Sequence, residues 1–336
     1  MQTSGVGGYL AHHRFWAVQY YLATMPRQTL HFAGPLANTG GSLRSVKLSA
    51  PFRIERWNYD KLADLIGDMQ GKTDWHPDHR VDELHCIPEY GTTGHVVTAS
   101  IDVEVDEADT DAYIKIHRQL HALDERLDEQ LLLLSLFFSS TTTLPVRYWY
   151  FVLPGSEREM ISASEGRADN GHRAAPSYRE ALKFNSFLAK HSFERRAEFI
   201  QIALDHWRHS QDTVPRHMQL LSLITAIEVL LNPAQTELKH RVTRAAAILI
   251  GSDAEDCRQI YSFLGKIYDV RSQIVHTGNL KGLSKFPLLQ IRWYLSRAII
   301  RAMELGLPKD RLCASLVELG FGQGHELKPA RPQDGL

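Results

Sequence analysis

The sequence predicts two domains of different class, an α+β module over residues 1–153 and an all-α helical bundle over 178–323, and three observations carry that reading. "HVVTASIDVEV" alternates polar and apolar residues with period two, and "PVRYWYFVL" is an aromatic run of the kind found in sheets. From Tyr178 onward every apolar pattern has helical period. Between the two, "PGSEREMISASEGRADNGHRAAP" is rich in Gly, Ser, Pro and charge and has no apolar period, so residues 154–177 read as a linker or loop.

In the first half, "TLHFAGPL" and "SLRSVKLSAPFRIERW" read as strands separated by the turn "ANTGG". "YDKLADLIGDM" is a short amphipathic helix ending near Gly71. A long helix over about 110–140 starts at an Asp109 or Thr110 cap and sets Ile114, Leu120, Leu123, Leu127, Leu131 and Leu134 at helical spacing.

The second half divides into helices by its caps and stops. "SFERRAEFIQIALDHWRHSQ" starts at Ser192, and "RHMQLLSLITAIEVLLN" ends at Asn232-Pro233. "TELKHRVTRAAAILIG" starts at a Thr cap and stops at Gly251. "DAEDCRQIYSFLGKIYDVRSQIVH" starts after Ser252 and stops at Gly278. "SKFPLLQIRWYLSRAIIRAMELG" takes Ser284 as its cap, with Pro287 in the first turn and Gly306 at the end. A last helix covers 308–319, and the tail 324–336 reads as disordered.

Composition excludes several classes. Three cysteines (Cys86, Cys257, Cys313) are too few and too scattered for a disulfide framework or a Cys-rich zinc site, and fit a reducing cytoplasm. No apolar run approaches the ~20 residues of a membrane span, and no basic-then-apolar leader opens the chain. The expectation is a soluble cytoplasmic protein that does not engage a membrane. Residues 1–177 carry 16 Lys+Arg against 23 Asp+Glu, whereas 178–323 carry 20 against 14. The second half is therefore the one suited to a polyanion.

The chemistry-bearing run is Arg271-Ser272-Gln273-Ile274-Val275-His276, closed by Thr277-Gly278. It combines a permanent cation, a hydroxyl and an imidazole within about one and a half helical turns. On an ideal helix Arg271 lies about 40° from Ile267, on the apolar side with Leu264, Val270 and Ile274, while Ser272 and His276 share the opposite face. Arg271 and His276 converge only if the helix unwinds before Gly278 or if two chains meet. As the bland alternative, Arg271 pairs internally with Glu228, set in the apolar stripe "TAIEVLL", and His276 merely finishes a helix; Arg241 is another partner for Glu228.

The stretch from about Met218 to Leu280 resembles the ApeA-like branch of HEPN domains, through "LITAIEVLL" with Glu228, "RVTRAAAILIG" with Arg241, and "IYDVRSQIVHTG". The resemblance implies a helical, HEPN-like C-terminal domain and a metal-independent endoribonuclease that needs no cofactor and acts as a homodimer on RNA. It also implies a toxin or an anti-phage, abortive-infection effector, with a sensory or regulatory first half answering to a phage-derived trigger or an antitoxin-like partner. Arg271 and His276 match the two motif residues, and Ser272 the polar position after the arginine. Candidate RNA contacts are Lys239, Arg244, Gln273 and Asn279; candidate structural supports are Glu228, Arg241 and Asp269. The rival expectation is a non-catalytic HEPN module that binds protein or RNA in a regulatory complex.

Weaker patterns point elsewhere less well. His76, His79, His85-Cys86 and His95 are metal-ligand types, but no zinc spacing fits, so no metal site is expected there. His117 and His121 lack the glutamate of a metalloprotease helix. Arg195-Arg196 and Lys239-His240 would extend a phosphate-tracking surface.

Overall fold

The computed structural model of the chain describes residues 27–70, 93–104, 111–152, 158–165, 172–191, 196–212, 215–232, 238–285 and 287–330. They form two compact units, Met1–Ser135 with Ser140–Ser192, and Leu136–Ser139 with Phe193–Leu336.

The first unit is α+β. Strands β1 (Arg27–Pro35), β2 (Arg53–Asn58), β3 (Thr93–Glu104), β4 (Val146–Val152) and β5 (Arg158–Glu165) make one antiparallel sheet in the order β2-β3-β1-β4-β5. Helices α1 (Tyr59–Gln70) and α2 (Ala112–Phe138) cover opposite faces. Leu62 and Leu65 of α1 pack with Ala33, Val96 and Tyr148. On the other face Phe32, Phe52 and Trp149 form an aromatic cluster, and Trp149 Nε1 donates to Asp124 of α2 at 3.1 Å. This is a sheet whose period-two pattern places large apolar groups on both sides.

Four sequence expectations change here. The stretch 154–177 is not wholly a linker, because β5 lies within it and pairs with β4 along its length. "SLRSVKLSAPFRIERW" is not one strand: Leu43–Ser45 is a 3-10 turn and only Arg53–Asn58 is in the sheet, Pro51 having no N–H for a ladder. Ile114 stands 48% exposed, off the stripe that buries Leu120, Leu123, Leu127, Leu131 and Leu134. Finally, α3 (Tyr178–His191), expected to open the bundle, packs with the first unit. Its Asn185 accepts from Lys47 N at 2.8 Å and donates to Ser45 O at 2.9 Å, which ties the helix to the 3-10 turn. The expected caps at Asp109 or Thr110, Ser192 and Thr236 lie outside the described residues.

The second unit is helical: α4 (Glu198–Asp212), α5 (Arg216–Leu231), α6 (Leu238–Ile250), α7 (Ala254–Thr277), α8 (Leu288–Leu305) and α9 (Lys309–Glu318). Helix α5 is apolar nearly all round, burying Leu220, Leu223, Ile224, Ala226, Ile227, Leu230 and Leu231, as a central helix must. It packs against α4, α6, α7 and α8. Ser284 does not cap α8: it sits in the 3-10 turn Leu283–Lys285, and Pro287, lacking an N–H, takes the cap position. The tail is ordered as far as Ala330. Gly324–Glu326 is a 3-10 turn, Leu327 is buried, and Ala330 N donates to Leu305 O at 2.7 Å. Residues 331–336 lie outside the described residues. No described helix is long and apolar enough to cross a membrane.

Candidate functional site

Helix α7 carries the motif. Asp253 caps it, its carboxylate accepting from Glu255 N and Asp256 N at 2.9 Å, and Gly278 closes it at φ 67° with its N–H on Ile274 O. The helix runs unbroken through Thr277, whose Oγ1 donates back to Gln273 O. The unwinding that would swing His276 toward Arg271 is therefore absent in the single chain. The two side chains leave α7 about 140° apart.

Arg271 lies on the flank facing α5. Its Nη2 is 3.9 Å from Glu228 Oε1, with the arginine side chain 33% exposed and the glutamate 17%. That distance is an ion pair without a hydrogen bond. Tyr268, one turn earlier on α7 and buried, completes a cluster around the same carboxyl. Burial pushes the Glu228 carboxyl above the ordinary glutamate range, and the Arg271 charge and the Tyr268 phenol act against that rise. Burial, and then the Glu228 charge, push the Tyr268 phenol far above the usual tyrosine range. The internal pairing of Arg271 with Glu228 is thus present.

Ser272 and His276 occupy the outer face. Both are exposed and neither has a polar partner among the described residues. Val275, beside His276, is 52% exposed, an apolar side chain left on the rim of the motif. Gln273 and Asn279 are exposed too, and Asn279 Oδ1 accepts from Lys281 N at 3.0 Å.

The other candidates are not gathered around the motif as spare cations. Lys239 is paired with Asp269 across α6 and α7, so the expected RNA contact and the expected support neutralise each other. Arg244, expected to contact RNA, has its Nη1 donating to Leu316 O at 2.9 Å and its Nη2 to Leu319 O, so the guanidinium closes the carbonyl end of α9. His240 Nδ1 lies 3.0 Å from Tyr261 Oη. Arg241 is exposed on α6, and the ion pair to Glu228 comes from Arg271. Arg196 donates to Gln201, and Arg195 lies outside the described residues.

His95 is buried in β3, its Nδ1 3.1 Å from Thr39 Oγ1, and burial with the nearby Arg56 and Arg173 charges lowers its pKa to about 4. His76, His79, His85 and Cys86 lie outside the described residues. Among the described residues no group of three or more His, Cys, Asp or Glu could hold a metal.

Tyr268 is the member that sequence reasoning missed. It stands three residues before Arg271 and about 100° from Ile267, at the edge of the apolar side, and the sequence assigns it no role; its contact with Glu228 depends on how α5 and α7 pack. No protein-family model, curated protein or solved structure matches this chain.

Proposed function

We propose that this chain is a metal-independent endoribonuclease of HEPN type, with a working site made by two copies. The observation that carries the proposal is the divergence on α7: His276 and Ser272 outside and unpartnered among the described residues, Arg271 on the inner flank, and a helix that stays regular between them. A cation and an imidazole that cannot meet in one chain can meet across a two-fold axis, where a self-complementary patch supplies each residue twice.

In that arrangement Arg271 holds the scissile phosphate and stabilises the charge developing on it. The 2′-oxygen attacks the adjacent phosphorus as its proton passes to a base, and the P–O5′ bond breaks as the leaving oxygen takes a proton. The products are a 2′,3′-cyclic phosphate and a 5′-hydroxyl, and the two protons are handled by the two His276 imidazoles, a side chain whose ordinary pKa near 6.5 suits both tasks. Ser272, on the face of His276, is a hydrogen-bond donor to the phosphate. The first unit would then sense a trigger or restrain the nuclease, as in a toxin or an anti-phage effector.

The second reading is a non-catalytic module that binds protein or RNA. The Arg271–Glu228 ion pair favours it, because that pair already gives the arginine a structural partner. The experiment is RNA cleavage by purified wild-type, Arg271→Ala and His276→Ala protein in chelator, with the 3′ ends analysed. Loss of cleavage in both variants and cyclic phosphate ends from the parent are expected. Equal cutting by all three proteins removes the assignment.

A further inference from the structure

At the far end of α7 from the motif, the C-terminus of α6, the second half of α8, the turn Gly324–Glu326 and Phe137 of the segment Leu136–Ser139 surround an open cleft of about 480 Å3. Ser252 on its edge and His276 are separated by the whole of α7, about 35 Å at 1.5 Å per residue. The cleft is therefore a separate place, and its chemistry is independent of the nuclease reading.

That chemistry is of an anion site with an apolar wall. Arg297 and Arg301 line it from α8, four residues apart and hence neighbours on one helical face. Two like charges so placed repel one another unless something negative lies between or before them. The carboxylate at hand is Glu304, and it is loosely engaged, its Oε2 3.5 Å from Arg301 Nη1. Arg297 is pre-aimed: Nη2 donates to Ile250 O at 2.7 Å and the guanidinium lies 4.7 Å over the Trp293 ring. That leaves its Nε and Nη1 donors unengaged among the described residues. Arg301 also makes a long bond of 3.4 Å from Nη2 to Leu327 O. Opposite them His325 sets Nδ1 3.0 Å from Gly322 O. A carbonyl only accepts, so Nδ1 carries a proton, and Nε2, the other ring nitrogen, is a donor to a phosphate in the imidazolium form, where both ring nitrogens are protonated.

We infer that this cleft binds a phosphate monoester of mononucleotide size. Guanidinium forks match the oxygens of a phosphate, and a monoester's double charge answers both arginines. Ile250 and Ile300 supply an apolar wall for a base, and Glu304 is an acceptor for a sugar hydroxyl or exocyclic amine. The volume falls within the roughly 300–1,000 Å3 of small-molecule sites. A purely structural role would be met by the carbonyl bonds alone, and needs neither the second donor set of Arg297 nor a cation held as loosely as Arg301.

The test is calorimetric titration of the full chain with the four 5′-ribomononucleotides, the matching nucleosides and inorganic phosphate. At least one mononucleotide binds, and its nucleoside and inorganic phosphate bind about tenfold more weakly or worse. Arg301→Gln and His325→Gln, each checked for an unchanged unfolding midpoint, weaken binding by about tenfold, the loss expected on removing a charged hydrogen bond. Arg271→Ala leaves it unchanged. The inference is overturned if no mononucleotide binds at millimolar concentration, if inorganic phosphate binds as tightly, if neither cleft variant alters the affinity, or if Arg271→Ala abolishes binding.

Discussion

Arg271 Nη2 stands 3.9 Å from Glu228 Oε1, close enough to attract and too far to hydrogen-bond, and the carboxyl is the more buried of the two. Helix α5 is apolar on nearly every side, so the glutamate is desolvated by its own helix and depends on Arg271 and Tyr268 to stay charged. An acid whose pKa is raised on folding binds more protons in the folded state. Stability is then greatest below the ordinary glutamate range and falls as pH climbs through the raised folded value. Arg271→Ala removes the main opposing charge and enlarges that loss. In urea unfolding, Arg271→Ala should match the parent near pH 4 and be less stable by about 1–2 kcal/mol near pH 8, less than a fully buried pair because the arginine is a third exposed. Adding Glu228→Gln should restore most of the loss and flatten the pH dependence. A deficit equal at both pH values would mean that Glu228 is not its source.

His276 behaves oppositely. It is exposed and without a polar partner among the described residues, so His276→Ala should leave unfolding free energy within about 0.5 kcal/mol of the parent. If it is the acid or base of the proposed reaction, the same change lowers RNA cleavage by about 100-fold or more. Both measurements belong on one protein preparation, because lost cleavage with lost stability would speak only of folding.

Local patterns are the ones a sequence reveals. The period-two run of β3, the all-apolar α5, and the closures of α7 and α8 at Gly278 and Gly306 depend on neighbours within a few residues, and all were legible. The association of α3 with the first unit was not, since an amphipathic helix announces that it buries a face without naming the surface; Asn185, which makes the tie, is an ordinary polar residue in sequence. The strand β5 was hidden by turn-forming composition, its partner β4 supplying the order. At the candidate site the divergence of Arg271 and His276 came from helical angles alone. The cluster with Tyr268 and the diversion of Arg244 to the end of α9 required contacts between helices.

That diversion makes Arg244 a stability residue. Its two donors satisfy Leu316 O and Leu319 O, carbonyls at the end of α9 that have no partner within their own helix. Arg244→Met keeps much of the side-chain volume and deletes both bonds. It should destabilise the protein by about 1.5–3 kcal/mol in chemical unfolding. Its effect on RNA affinity should be no larger than that of neutralising an exposed lysine elsewhere, such as Lys266. An RNA affinity that collapses while stability holds would return Arg244 to the RNA-contacting set.

Two glycines at opposite ends of the second unit test its frame, and they should differ for a physical reason. Gly278 sits at φ 67° with no atom within 4 Å of where a Cβ would lie, so Gly278→Ala meets only the backbone preference of an L residue, about 1–2 kcal/mol. Gly324 presses on the α6 backbone: an added Cβ would come to 2.0 Å of Ile248 O, which no side-chain rotation relieves. Gly324→Ala must push the turn Gly324–Glu326 off α6, with the burial of Leu327 and the bond of Ala330 to Leu305 following it. A loss larger than that of Gly278→Ala, and at least the roughly 1–3 kcal/mol typical of overpacking, is expected. Hydrogen exchange should report it first at Leu327 and Ala330, whereas Gly278→Ala should loosen the last turn of α7 around His276. If the two substitutions cost the same and loosen the same amides, the tail is not held by the close approach of Gly324 to Ile248.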